Sequence, residues 1–298
     1  MKSIVLKGAV MLMAAGCLFA AWLALSWGLA DRAAYDARQS MRDWAYDGIA
    51  SETKLARSIE DMRTAVSFAP NHPDYRDQLA KWLLMAYLLN HDQADAEEAR
   101  AHLAHSSQIR PHWGGNLSTL IDLKFYLDEI DSDLFEAIAL AERTNAWEPD
   151  VIQALVRVGS RHYAQLPGDQ QREVISAIER GLRSPVKGLA NRVVKLTREA
   201  AADWQLDFVR SLAVILSSDD WPARNQAAHT ELALLIWPVA SAAEKERMTV
   251  QIADVLATHN NRRIRQLVVR SGRLIAFCPR LPRTKNFRRL CEDSRILK

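Results

Sequence analysis

The chain has 298 residues and a net charge of +3, with 49% apolar and 25% charged residues, room for one large or two ordinary domains. Only 11 glycines and 10 prolines leave too little punctuation for a many-stranded fold. Long Ala/Leu/Arg/Glu-rich stretches favour helix almost throughout.

Gly8 to Ala30 carries no charge over 23 positions. At ~1.5 Å of rise per residue this spans roughly 35 Å, enough for a bilayer's hydrocarbon core. A cleavable signal peptide ending at Gly28-Leu29-Ala30 has small residues at the two positions before a cut, but its apolar region exceeds the usual ~7–15 residues. A lipoprotein signal ending at Cys17 fits less well, because Ala14-Ala15-Gly16-Cys17 only loosely matches a lipobox. A buried core helix would need polar faces, so the preferred reading is an uncleaved signal anchor over residues 1–32. Lys2 and Lys7 precede the span and Arg32, Arg38 and Arg42 follow it, a nearly even bias. A short leader is more easily left behind than a large domain is held back, which favours the N-terminus inside and the body outside the cytoplasmic membrane.

Ala33 to Gly48 reads as a helix leaving the membrane, and Ser51 to Ala69 as the next, with Leu55, Ile59, Met62 and Val66 drawing one apolar stripe. Ala69-Pro70-Asn71-His72-Pro73 then breaks it. Pro73, Pro111 and Pro149 follow at intervals of 38 residues, and each opens a segment closing on a tyrosine, Tyr87, Tyr126 or Tyr163. A fixed period of this length is the mark of a helical-repeat array, in which each hairpin buries its apolar face on the next. The first unit is expected to pair helices Asp74–Leu89 and Ala94–Ser107, the second Asn116–Asp128 and Ser132–Thr144, and the third Asp150–Gln165 and Asp169–Leu182. Each proline is expected to start a helix, where its missing N–H is harmless, and each tyrosine to pack its ring with a wet hydroxyl.

Beyond Pro185 the period weakens. Val186–Ala202 and Trp204–Leu216 read as a fourth pair, Trp221-Pro222 opens a helix to Leu235, and Ser241-Ala-Ala-Glu244 is a capping box for a helix to Thr258. Arg262–Phe277 reads as the last helix, weakened by β-prone Leu267-Val268-Val269. The expected fold is thus an all-α, tetratricopeptide-like solenoid after a transmembrane helix. Its repeat domain covers 33–277 as one continuous array, with units starting near 73, 111, 149 and 185, and a basic tail covers 278–298.

Arg262 to Lys298 carries +10, leaving −7 for the first 261 residues. Such polarity suggests an anionic partner for the tail. Arg280, Arg283, Lys285, Arg288 and Arg289 are the candidate anion or partner surface, facing acidic polysaccharide or lipid headgroups rather than nucleic acid. Cys278 and Cys291 are the only cysteines outside the apolar segment. They would close a small loop in an oxidising compartment and stay unpaired in a reducing one.

Tandem helical hairpins opened by proline resemble tetratricopeptide repeats in architecture, at a longer period than the usual ~34 residues and largely without that family's Trp and Leu-Gly pattern. Pro70-Asn71-His72-Pro73, Arg110-Pro111-His112-Trp113 and Ala146-Trp147-Glu148-Pro149-Asp150-Val151, followed by Gly181-Leu182, resemble the VpsP family of bacterial polysaccharide-biosynthesis proteins. The resemblance covers about Ala69 to Leu182 and implies a single-anchor accessory of exopolysaccharide production. It brings no catalytic residues.

Candidate chemistry is sparse. His102 and His105 share a helical face, with His91 and His112 flanking, but a protein metal site normally recruits further ligands; solvated histidines are the expectation. Asp128, Glu129, Asp131, Asp133 and Glu136 cluster at a hairpin tip, where helix capping explains them better than a glycosidase pair does. Trp82, Trp113, Trp147, Trp204, Trp221 and Trp237 read as packing, with Trp113 and Trp147 expected to be partly exposed. Asn116-Leu117-Ser118 has only the form of a glycosylation acceptor. No P-loop, dinucleotide fingerprint, H-E-x-x-H or G-x-S-x-G is present. The sequence therefore points to a non-enzymatic, cofactor-free membrane adaptor that works with other polysaccharide-synthesis or export proteins. The alternative is a glycan-active hydrolase or lyase on an α-helical scaffold.

Overall fold

The computed structural model describes residues 2–47, 51–199, 206–216, 221–258, 262–271, 273, 277–278 and 291. Among these residues the protein is all-α. By compactness the chain divides into two units, Met1–Tyr126 and Leu127–Lys298, where the sequence reads as one continuous array. The second expected hairpin is split between them.

In the first unit α1 (Lys2–Asp47) is one unbroken helix of 46 residues, roughly 70 Å long. Its stretch Val10–Met41 is long and apolar enough to cross a membrane, and none of its most apolar window is buried in the fold. Beyond that window Ala30, Ala34 and Ala37 are buried on one face, and these small side chains let neighbouring helices approach closely. α2 (Glu52–Phe68) runs back along α1, capped by Ser51, whose hydroxyl accepts from Lys54 N. Its buried stripe is Leu55, Ser58, Ile59, Met62 and Ala65, one position off the expected Val66, which is half-buried.

α3 (Pro73–Asn90) begins with Pro73 in its first turn, as the sequence predicts, and ends at His91 with a left-handed φ of 55°. α4 (Gln93–Ile109) is capped by Asp92, which accepts from Ala94 N, and packs along α3. α5 (Gly114–Tyr126) follows. Pro111 does not start this helix. It lies in the preceding turn, and the Trp113 carbonyl accepts the first helical bonds from Asn116 N and Leu117 N.

In the second unit α6 (Ser132–Asn145) is capped by Asp131, and α7 (Pro149–His162) opens on its proline. A 3-10 turn, Tyr163–Gln165, continues α7, and α8 (Gly168–Arg183) folds back on it. Tyr163 is buried, with its hydroxyl 3.3 Å from Ser211 Oγ. Two glycines let α7, α8 and α9 meet. A Cβ on Gly181 would lie 2.6 Å from Val193 Cγ2 and 3.0 Å from Ile152 Cγ2, and one on Gly159 would run into Val174.

α9 (Leu189–Glu199) begins three residues later than expected, because Gly188 turns the chain at φ +83°. α10 (Leu206–Leu216), α11 (Gln226–Ile236), α12 (Ala242–Thr258) and α13 (Arg262–Arg270) complete the described helices. The capping box at α12 is formed on both sides: Ser241 N donates to Glu244 Oε2 at 2.7 Å and Glu244 N to Ser241 Oγ at 3.3 Å. α13 is shorter than its expected span. Ser271 closes it, donating to the Val268 carbonyl and accepting from Arg273 N.

Candidate functional site

The first unit carries its polar chemistry along α3. At the α1 junction Asp31 accepts from Arg38 at 2.7 Å and from the Tyr75 hydroxyl at 3.4 Å, while Arg38 also donates to Gln78 at 3.1 Å and lies over the Tyr75 ring. The His72 ring meets Trp27 edge-on at 6.3 Å and lies 4.5 Å from Tyr75. Across α2, α3 and α4, Arg63 grips Glu98 through two bonds of 3.0 and 2.6 Å. His102 sits between Glu98, 3.7 Å away, and Arg76, whose guanidinium lies 3.1 Å from Nδ1.

His102 is therefore not a solvated histidine. Burial, then the positive field of Arg76, lowers its pKa, and hydrogen bonding from Arg63 lowers that of Glu98. His105 is half-buried on the same face. Among the described residues no group of His, Cys, Asp and Glu is arranged to hold a metal ion.

Between α3, α4 and α5, Asn116 donates to Asp77 Oδ1 and to the Leu103 carbonyl, both at 3.0 Å, and accepts from Ser107 at 2.8 Å. Burial raises the Asp77 pKa against the hydrogen bonding that opposes it. Asn116 is 1% exposed, so the glycosylation-like tripeptide is a structural polar core. α1 and α2 also flank a cleft of about 290 Å³ lined by Asp36, Ser40, Lys54, Arg57 and Asp61. Its mixed charges are mutually compensating.

In the second unit Arg180 on α8 pairs with Glu142 on α6, donates to the Ala146 carbonyl at 2.8 Å and reaches Ser176 at 2.7 Å. Both partners are mostly buried, and burial pushes Glu142 up to about 7 despite the arginine, with Glu173 adding like charge. The exposed acid Asp128, with a left-handed φ of 60°, lies 3.5 Å from Nε2 of buried His162. Burial lowers the His162 pKa. Of the acidic cluster, Asp131 does cap a helix, accepting from Leu134 N at 3.0 Å.

The tryptophans divide as their positions suggest. Trp113 and Trp147 are 47% and 64% exposed, whereas Trp82 and Trp221 are buried. Arg110 ties the Trp113 ring to the fold, stacking at 5.5 Å and pairing with Asp74 at 2.8 Å. Trp204 lies outside the described residues, as do Arg280, Arg283, Lys285, Arg288 and Arg289. Cys278 and Cys291 are joined as a disulfide, with Cα atoms 5.9 Å apart.

Sequence reasoning missed the Glu142–Arg180 clip and the His102 network. Their partners are 38 and 26 residues apart, and only packing brings them together. No protein-family model matches the chain, and no curated protein sequence matches it.

Proposed function

We propose that this chain is a membrane-anchored helical-repeat adaptor that assists bacterial exopolysaccharide biosynthesis or export. α1 crosses the cytoplasmic membrane with its N-terminus inside, and the tetratricopeptide-like body stands outside, where it binds other synthesis or export proteins. The observation that carries this reading is the continuity of α1: an exposed apolar half runs without a break into a half that packs along α2 and reaches α3 through Asp31 and Arg38. Anchor and first unit thus share one continuous helix. The VpsP-like segments support the polysaccharide assignment, and the exposed Trp147 lies inside the most characteristic of them.

No catalytic role or cofactor is assigned. The tail, closed by Cys278–Cys291, is the proposed anion surface. Alanine at Arg280, Arg283, Lys285, Arg288 and Arg289 should lower retention on anionic vesicles or acidic polysaccharide at low salt; equal retention removes the tail from the account. Deletion of the protein should abolish surface polysaccharide while sugar-nucleotide pools stay intact, and unaffected polysaccharide would sink the assignment.

The glycan-active alternative has one observation in its favour. Glu142 and Glu173 come from two expected repeats, and both have raised pKa values, chiefly through burial. Glu142 is nonetheless clamped by Arg180, a better arrangement for a clip than for an acid that must reach a sugar. Glu142→Gln and Glu173→Gln should leave polysaccharide production intact if the protein is an adaptor.

A further inference from the structure

The levels of the helices along α1 can be read from their contacts. α2 is antiparallel to α1: α1 ends at Asp47, α2 begins at Glu52, and the two pack along each other after this short connection. The C-terminal end of α2 therefore returns towards the apolar half of α1. α3 runs parallel to α1, because Trp27 meets His72, Asp31 meets Tyr75 and Arg38 meets Gln78. α4 is antiparallel to α3, and its end returns to the same level, where Arg110 binds Asp74 at the start of α3. Two turns, 68–72 and 109–113, thus lie at one end of the first unit. That end is the one from which the uncharged stretch 8–30 projects. Trp27 lies within this stretch, four residues before Asp31, about 6 Å along the helix.

The surface chemistry of the unit is sorted along the same axis. Among the described residues of the unit beyond α1, the exposed large apolar side chains are Phe68 at 41%, Ile109 at 41% and Trp113 at 47%, and all three belong to these two turns. Pro70, Pro111 and His112 are exposed beside them. The turn between α3 and α4, at the opposite end, exposes Asn90, His91, Asp92 and Gln93 instead. Exposed Trp and aliphatic side chains backed by an arginine are the composition that settles at the boundary between headgroups and acyl chains.

We propose that this end face is a membrane-contact surface, with Phe68, Ile109 and Trp113 seated in the lipid interface beside α1 and Arg110 at headgroup level. The contact rests on the reading of α1 as a membrane span. It gives the unit several points of attachment to the bilayer, so this unit is braced on the membrane rather than swinging from a single helix. The occupant is the phospholipid interface itself, because the three side chains lie at the depth that α1 fixes for them.

The test uses the unaltered full chain in phospholipid nanodiscs containing a phosphatidylcholine with a photoactivatable diazirine near the carbonyl end of one acyl chain. After illumination, adducts are mapped by peptide mass spectrometry. The expected result is labelling within 8–30 and within both 68–72 and 109–113, at least tenfold above that at 90–93. Labelling of 8–30 alone, with the two turns no higher than 90–93, overturns the contact surface and leaves the span standing. Absence of labelling from 8–30 overturns the span and the contact surface together.

Discussion

Gly159 offers the sharpest test of how the second unit packs. It lies on α7 against α8, and a methyl group there would sit 3.0 Å from both Cβ and Cγ2 of Val174 and closer still to Cγ1. Val174 is fully buried and has no solvent side to move into. Replacing a mid-helix glycine by alanine gains ~1 kcal/mol of helix propensity when space is free. Overpacking a filled core costs about 1–3 kcal/mol, so Gly159→Ala should destabilise the protein by up to ~2 kcal/mol. In a Val174→Ala background both clashing methyls are gone, and only the Cβ contact must relax by a few tenths of an ångström. The same substitution should then be neutral or stabilising. The double-mutant cycle should show at least ~1 kcal/mol of favourable coupling. Reversible guanidinium unfolding in detergent, followed by far-ultraviolet circular dichroism, measures all four proteins. An equal cost for Gly159→Ala in both backgrounds would refute the close approach of α7 and α8.

Three further outcomes follow from the same structure. Because the folded-state pKa of Glu142 is raised from 4.5 to about 7, the folded protein holds this proton where the unfolded chain has lost it; stability should fall as pH rises from 4.5 to 7, by roughly 3 kcal/mol, and Glu142→Gln should flatten that part of the unfolding profile. Ser241→Ala removes one side of the box that starts α12 and should cost about 0.5–2 kcal/mol in the same unfolding assay. Asn116→Ala strips Asp77 of a buried donor and should cost about 1–3 kcal/mol at pH 7, with a smaller loss at a pH low enough to protonate Asp77, read as a shift in the denaturation midpoint.

Local signals in the sequence carried a long way. Pro73 and Pro149 mark helix starts, Ser241 and Glu244 close on each other, and the uncharged stretch 8–30 lies within α1, whose most apolar window is not buried in the fold. These depend on residues within a turn or two of each other, and backbone chemistry alone decides them. Pro111 failed as a helix start because the fold places a turn at residues 110–113, where Trp113 folds back over Gly115: a Cβ on that glycine would lie 2.8 Å from the indole nitrogen. α13 stopped early at a serine whose hydroxyl competes for the backbone.

The polar contacts were illegible for a different reason. Arg63–Glu98, Asp77–Asn116 and Glu142–Arg180 join residues 35, 39 and 38 positions apart. The expected hairpin period predicts that neighbours recur at about this spacing, but not which side chains meet. His102 looked like one of several histidines on an alanine-rich helix until α3 supplied Arg76 and α2 supplied Arg63 beside Glu98. The sorting of Phe68, Ile109 and Trp113 to one end depends on the directions of four helices, which no local pattern encodes.

The central claim is that α1 spans the cytoplasmic membrane and holds the helical body on its outer side. Alkaline phosphatase, which folds to an active enzyme only outside the cytoplasm, and green fluorescent protein, which fluoresces when it folds inside, can each be fused after Lys298 and expressed in bacteria. The account predicts high phosphatase activity and a dark fluorescent fusion, both retained in the membrane fraction. A bright fluorescent fusion with inactive phosphatase would contradict it.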